Sequence, residues 1–230
     1  YSRYGLGSLD VLDIIDPILG EEAEQYGEPE AIRLNYALSL QQQIPLADIY
    51  FGRDQTNVIG DRILLSRMRW PIRKPEIAIY KRAYQEMGLG SRLLELPRGY
   101  VEGGDIILWR DTCFISVGVR TNRQAVIEIY NRIGRKLKNK GIEIAVVVSP
   151  HQAALKAKAP GEEMQAMHLD TFFMPLDKQT ALASGEEIRQ RRVEAISERY
   201  GELNFLDMGR LDQFLGRKRI DLVDITAEEL

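Results

Sequence analysis

The stretch Asp105-Ile106-Ile107-Leu108-Trp109-Arg110-Asp111-Thr112-Cys113-Phe114-Ile115-Ser116-Val117 decides how the rest of this sequence is read. Two apolar runs, over 105–109 and 113–117, flank the polar turn Arg110-Asp111, which is the pattern of a β-hairpin. Downstream, Thr121 stands where a helix cap is wanted, and a helical pattern with Ala125, Ile127, Ile129 and Ile133 runs to about residue 139. Gly141 stops that helix, and 142–148 is a continuous apolar run of the buried-strand type. The unit is therefore hairpin, helix, strand. Immediately before it stand Glu102-Gly103-Gly104-Asp105, ionisable residues at the point where a bland hairpin would begin with apolar ones.

Working outward, the same order recurs on both sides as a loose internal repeat. Upstream, an extended stretch over 49–53 turns near Gly60-Asp61 and returns over 62–66, followed by a helix over 75–87 and a short strand over 92–96. Downstream, 167–174 turns near Leu176-Asp177, with a helix over 186–199 and strands near Asn204 and over 220–225. Before residue 46 the chain reads as mainly helical, with 30–43 the clearest piece. Three such units predict an α/β protein of small mixed sheets, each carrying a helix on one side. No Pro-, Gly- or Ser-rich linker divides the chain, so residues 1–230 read as a single domain.

Composition bounds the function. Of the 230 residues, 44% are hydrophobic and 28% charged, so an ordinary packed core is expected rather than disorder. A net charge of -3 and a pI near 5.6 give no basic face for nucleic acid. The densest basic run, over 135–140, reads as a solvated helix end. No apolar run approaches the roughly 20 residues that span a bilayer, and no signal-peptide pattern opens the chain. The single cysteine, Cys113, permits no intrachain disulfide and fits a reducing compartment, with cytoplasm the default.

The first unit carries Phe51-Gly52-Arg53-Asp54 at its start and the third carries His168-Leu169-Asp170-Thr171. If the third segment is a strand, His168 and Asp170 point to one side. The glycines between Glu102 and Asp105 allow a close approach of backbone. Should the units pack around a common centre, they enclose up to four carboxylates and one imidazole. Facing carboxylates repel unless a cation compensates them, and either a divalent metal or a planar guanidinium meets that need. The guanidinium offers an N–H fork matched to paired carboxylates. His168 and Glu102 are natural proton-transfer groups. Singly, each feature has a plainer reading: Asp54 with Arg53 as a surface pair, Glu102 to Asp105 as a turn, Asp170 as a strand-end residue, Arg73 as a helix cap, His151 as loop.

Taken together the motifs resemble the arginine deiminases of the guanidino-group-modifying (amidinotransferase) superfamily. Tyr50-Phe51-Gly52-Arg53-Asp54 with Met68-Arg69-Trp70-Pro71-Ile72-Arg73 is similar to the family's first signature, Gly52 standing where Thr is usual. Tyr100-Val101-Glu102-Gly103-Gly104-Asp105 with Gly118-Val119-Arg120-Thr121 resembles the second, and Met167-His168-Leu169-Asp170-Thr171 with Leu176-Asp177 the third. The resemblance covers about 46–180. It implies a pseudosymmetric α/β-propeller of ββαβ modules, of which about three are present. It also implies conversion of arginine to citrulline and ammonia through a cysteine thiouronium intermediate, with no metal and no cofactor. By the same resemblance Asp54 and Asp170 grip the guanidinium and Glu102 and His168 move protons. Arg73 and Arg120 hold the substrate carboxylate, and Asp105 supports the others. Asp48 stands where an asparagine is common, which leaves open a relative acting on methylated arginine or yielding ornithine. A guanidinium-binding relative without catalysis is a further reading, and a homo-oligomer is left open.

The nucleophile is missing from this picture. Cys113 lies inside an apolar return strand and reads as a core residue, and no cysteine comes after it. The sequence opens on Tyr1 and ends at Leu230 without a terminal element, so it reads as incomplete at both ends, with the nucleophile-bearing part beyond residue 230 and the segment inactive alone.

Overall fold

The computed structural model describes residues 48–70, 73–149 and 167–225, and among these, three separate sheets form. In the first, one helical turn, α1 (Gly52–Gln55), leads into β1 (Thr56–Ile59), which returns antiparallel as β2 (Arg62–Leu65). Helix α2 (Lys74–Glu86), with a proline in its first turn where no N–H partner is lost, crosses to β3 (Leu93–Leu94), parallel to β2. In the second, a 3-10 turn, Gly103–Asp105, leads into β4 (Ile106–Trp109), antiparallel to β5 (Thr112–Val117). Helix α3 (Arg123–Ile129) continues through a π turn, Tyr130–Gly134, into α4 (Arg135–Asn139), and β6 (Glu143–Val148) returns parallel to β5.

The third sheet begins with a 3-10 turn, Leu169–Thr171, then β7 (Phe173–Pro175) antiparallel to β8 (Thr180–Ala183). Helix α5 (Gly185–Gln190) is succeeded by β9 (Arg192–Arg199) and β10 (Glu202–Arg210), then α6 (Leu211–Arg217) and β11 (Asp221–Asp224), parallel to β8. The fold is thus mixed α/β, and no sheet closes on itself among the described residues.

Several expectations need correction. The extended stretch placed at 49–53 is a turn running into α1, and the strand proper starts at Thr56. A two-residue turn at Gly60-Asp61 pairs Ile59 with Arg62, so the strand must abut Gly60, whose φ is +65°. His168 and Asp170 are not alternate residues of a strand, because a 3-10 turn intervenes with Thr171 Oγ1 donating back to the His168 carbonyl at 2.6 Å. Asn122, not Thr121, caps α3, its side chain accepting from Ala125 N. The helix expected over 186–199 ends at Gln190, and β9 and β10 then form a hairpin. Tyr200 and Gly201 both have positive φ, 54° and 82°, the twisted two-residue turn that joins strands. β9 pairs antiparallel with β6, so this hairpin extends the second sheet to the order β10-β9-β6-β5-β4. The helix expected over 30–43 and the loop reading of His151 lie outside the described residues.

Within the second sheet β5 and β6 are buried on both faces, which explains their unbroken apolar runs. Along β5, Cys113 and Ile115 face the α3–α4 side with Ala125, Val126, Ile129 and Ile133, while Phe114 faces the third sheet with Phe173, Phe214 and Leu211. Period-two alternation therefore distributes one strand between two cores. Phe114 meets Phe173 and Phe214 edge-on, with ring centroids 5.6 and 6.1 Å away. Truncating it as Phe114→Ala should cost about 3–5 kcal/mol in chemical denaturation. Leu108→Ala, 36% exposed on the same sheet, should change stability by less than about 1 kcal/mol.

Candidate active site

The starts of the three sheets converge, and small residues are what let them. An added Cβ on Gly103 would lie 1.8 Å from the Arg53 carbonyl oxygen, so the turn before β4 sits directly against the backbone of α1. On Gly104 it would lie 2.7 Å from His168 Nδ1, against the third segment. Polar bonds fix the same contacts. Asn57 Nδ2 donates to the carbonyls of Gly103 and Ile106 at 3.1 and 3.0 Å, and Leu169 N donates to Asp105 Oδ1 at 3.2 Å.

At this junction Asp54, Glu102 and His168 each present a ligating atom, all within 4.8 Å of one another. Glu102 is fully buried, and its Oε2 lies 3.0 Å from His168 Nε2 and 3.3 Å from Arg73 Nη1. Its Oε1 is buried without a hydrogen-bond donor, the nearest cation being Arg120 Nη1 at 3.6 Å. Asp54 Oδ2 accepts from Arg73 Nη1 at 3.1 Å, and Asp54 Oδ1 lies 3.8 Å from His168 Nδ1. The spacing alone would suit a divalent ion, but the cation these oxygens hold here is a guanidinium, that of Arg73.

Of the residues read from the sequence, Asp54, Glu102, His168 and Arg73 meet directly, and Arg120 adjoins them. Asp105 lies one layer behind, buried, accepting from Thr121 Oγ1 at 2.6 Å within the second segment and from Leu169 N, which ties that segment to the third. Asp170 takes Arg53 Nε at 2.6 Å, a pair 117 residues apart in sequence. Sequence reasoning missed Glu76, Gln55 and Thr121. Glu76 is fully buried and accepts from Arg73 Nη2 at 3.2 Å and Gln55 Nε2 at 2.5 Å. Its signal was available, since a glutamate three residues after an arginine at a helix start faces it. Thr121 also takes the Glu102 N–H on its hydroxyl oxygen at 3.2 Å, work that no cap reading suggests.

The electrostatics are set by burial and its compensation. Burial works to raise the Glu102 carboxyl, but the His168 hydrogen bond and the charges of Arg120 and Arg73 outweigh it and hold the group below its ordinary value. Burial opposes charge on His168 too, yet Glu102, Asp105 and Asp54 raise it above 6.5. Asp105 is pushed up to about 7 by burial, which the charge of His168 and the bonds from Thr121 and Leu169 N only partly offset. Asp170 is also raised by burial, with Arg53 and His168 pulling the other way. Cys113 is inert: fully buried in β5, its thiol is pushed up to about 12 by burial, so no thiolate forms there near neutrality.

Hairpin–helix–strand units thus bring carboxylates, one imidazole and a guanidinium together at their starts. The family model described as arginine deiminase matches residues 39–223, most of the chain, which belongs to the arginine deiminase family. The chain is 28% identical over 152 residues to the "uncharacterized protein YkgA" of Bacillus subtilis (strain 168), covering 60% of this chain and 52% of that protein. It is 29% identical over 136 residues to an arginine deiminase of Limosilactobacillus reuteri (strain DSM 20016), covering 56% of this chain and 30% of the enzyme. The matches thus span between about a third and a half of these curated relatives' length. Among solved structures, a mutant of AgrE in binary complex with L-arginine shares the fold with a TM-score of 0.53 at 19% identity, over 80% of this chain and 22% of that one.

The chain has two histidines, so His168 can be tracked by its ring-proton shift, and it should titrate above 6.5 and move down in Glu102→Gln. Because its folded value is raised, the stability His168 lends is complete below pH 6.5 and is lost as pH rises through that higher value. For Glu102, whose value is depressed, the contribution is complete above 4.5 and is lost as pH falls. Thermal denaturation against pH should therefore show these two groups contributing most between pH 4.5 and 6.5. Separately, Gly103→Ala must push α1 away from the second segment, and denaturant titration should show a loss of about 1–3 kcal/mol or more.

Proposed function

We propose that this chain forms the guanidinium-binding and proton-transfer part of a hydrolase that converts arginine to citrulline and ammonia. The observation that carries the reading is that Asp54 and the buried Glu102 already hold a guanidinium, with His168 3.0 Å from the same Glu102 oxygen. A planar cation satisfies two carboxylates through parallel N–H bonds, and excluding water strengthens each of them. In this reading Asp54 and Glu102, joined by Asp170, grip the substrate guanidinium, Glu102 also exchanging protons with His168, and Arg73 and Arg120 receive its carboxylate. Asp105, through Leu169 N and Thr121, holds the second and third segments in register.

The chemistry is an addition and elimination at the guanidinium carbon. A cysteine thiolate adds to it, a proton passes from the Glu102–His168 pair to the leaving nitrogen, and ammonia departs. Water then adds to the thiouronium carbon, giving up one proton to the same pair; the C–S bond breaks as the remaining O–H proton is lost to the released ammonia, and citrulline leaves with the thiolate restored. The arginine cation and water thus become citrulline and ammonium, and the pair ends as it began. Cys113 does not supply that thiolate, so the proposal for this chain is confined to binding and proton transfer. The repeated order of antiparallel pair, helix and parallel strand supports placing the three units as modules of an α/β-propeller in one catalytic domain. Asp48, whose carboxylate lies 3.2 Å from Arg73 Nε, favours an acceptor-rich binding site but does not choose between arginine and its methylated forms.

Titration calorimetry with L-arginine tests the reading. Binding should saturate, and Asp54→Asn should weaken it at least about ten-fold, the loss of roughly 1.4 kcal/mol for one charge-assisted contact. Binding unaffected by Asp54→Asn, or none at all, contradicts it. Citrulline formation by the protein as it occurs in the cell tests the catalytic half.

A further inference from the structure

Arg73 is placed where it cannot serve a substrate carboxylate without moving. Its Nε lies 3.2 Å from Asp48 Oδ2 and 3.3 Å from Glu76 Oε2, its Nη2 lies 3.2 Å from Glu76, and its Nη1 lies 3.1 Å from Asp54 and 3.3 Å from Glu102. Every nitrogen of the fork faces a carboxylate. The two ends of the set differ, however. Glu76 is fully buried on α2, fastened by Gln55 Nε2 and accepting the Asp48 N–H, so the Nε edge of Arg73 is anchored. The Nη1 tip instead touches the two acids that the proposed function assigns to the substrate. Beside that tip, the buried Glu102 Oε1 has no hydrogen-bond donor, so the pocket retains acceptor capacity for a second fork.

We infer that Arg73 is an internal competitor for the guanidinium cradle, released by the substrate's own carboxylate, so that the site selects guanidines carrying a carboxylate over simple guanidines and guanidino-amines. This rests on the reading of Asp54 and Glu102 as the guanidinium cradle. A ligand with only a guanidinium must displace the Nη1 tip and leave it without an anion. A guanidino acid supplies both halves of an exchange: its guanidinium takes over Asp54 and Glu102, and its carboxylate takes the freed tip of Arg73, with Arg120 adjoining. Charge in the cluster is conserved and no buried carboxylate is left bare, which is the costly outcome. Glu76 keeps hold of the other edge throughout, so the exchange needs only rotation of the side chain.

The test is a pair of titrations on the full chain and on Arg73→Gln, with L-arginine and with methylguanidinium. Removing the competitor should strengthen methylguanidinium binding, by about ten-fold if Arg73 fills the cradle nine-tenths of the time, while L-arginine binding weakens. Affinities that fall together, or do not change, overturn the inference while leaving the cradle reading intact. If neither guanidine binds either protein, both fail. Should Arg73→Gln not fold, the unaltered chain answers instead: methylguanidinium should bind more tightly when glycine supplies the carboxylate separately, and an affinity indifferent to glycine overturns the inference.

Discussion

A glutamate carboxylate deprived of water is tolerable only if cations or hydrogen-bond donors replace the water, and Glu102 is fully buried at the meeting point of three segments. Its compensation comes from far apart in the chain: His168 from the third segment, Arg73 from the loop before α2, Arg120 from the turn before α3. Withdrawing any one of them leaves a buried charge short of a partner. The carboxylate therefore fixes the relative placement of all three units, and the glycines at 103 and 104 are what allow the backbones to come close enough. The same arrangement that makes Glu102 bearable also sets it against an imidazole and the guanidinium of Arg73, the contacts from which the proposed function is argued.

Behind this centre the packing is conventional and stiff. β5 and β6 are buried on both faces, with alternate side chains committed to the α3–α4 core and to the aromatic cluster of the third sheet. A rigid support matters because the site depends on contacts of about 3 Å between segments that share no secondary structure. Buried Arg191 adds a further tie, its guanidinium lying 3.7 Å over the Phe172 ring while it pairs with Glu187, so the segment carrying His168 is held from behind.

Where the sequence was legible, local chemistry and tertiary demand agreed. The hairpin 105–117 was readable because both strands are apolar and the turn between them is polar, and the positive φ of Arg110, 56°, is the turn's backbone signature. The site acids were readable because ionisable residues stood where apolar ones were due. The failures had tertiary causes. Residues 192–199, Arg-Val-Glu-Ala-Ile-Ser-Glu-Arg, suit a helix by propensity, and pairing with the free edge of β6 overrode it. The cue was Tyr200-Gly201 between two segments of similar length. Thr121 looked like a cap, whereas its hydroxyl serves Asp105 and Glu102, a use that only the folded neighbourhood reveals. Glu76 escaped notice because a glutamate in a first helical turn already has a sufficient reason to be there, in the helix dipole.

We propose that Asp54, Glu102 and His168 enclose a flat organic cation, and a crystal structure of the chain grown with L-arginine tests this most directly. The ligand's guanidinium should lie between the carboxylates of Asp54 and Glu102, in line with His168, with the tip of Arg73 turned toward the ligand carboxylate. Arginine bound elsewhere, or Arg73 unmoved between the two acids at saturating arginine, would contradict it.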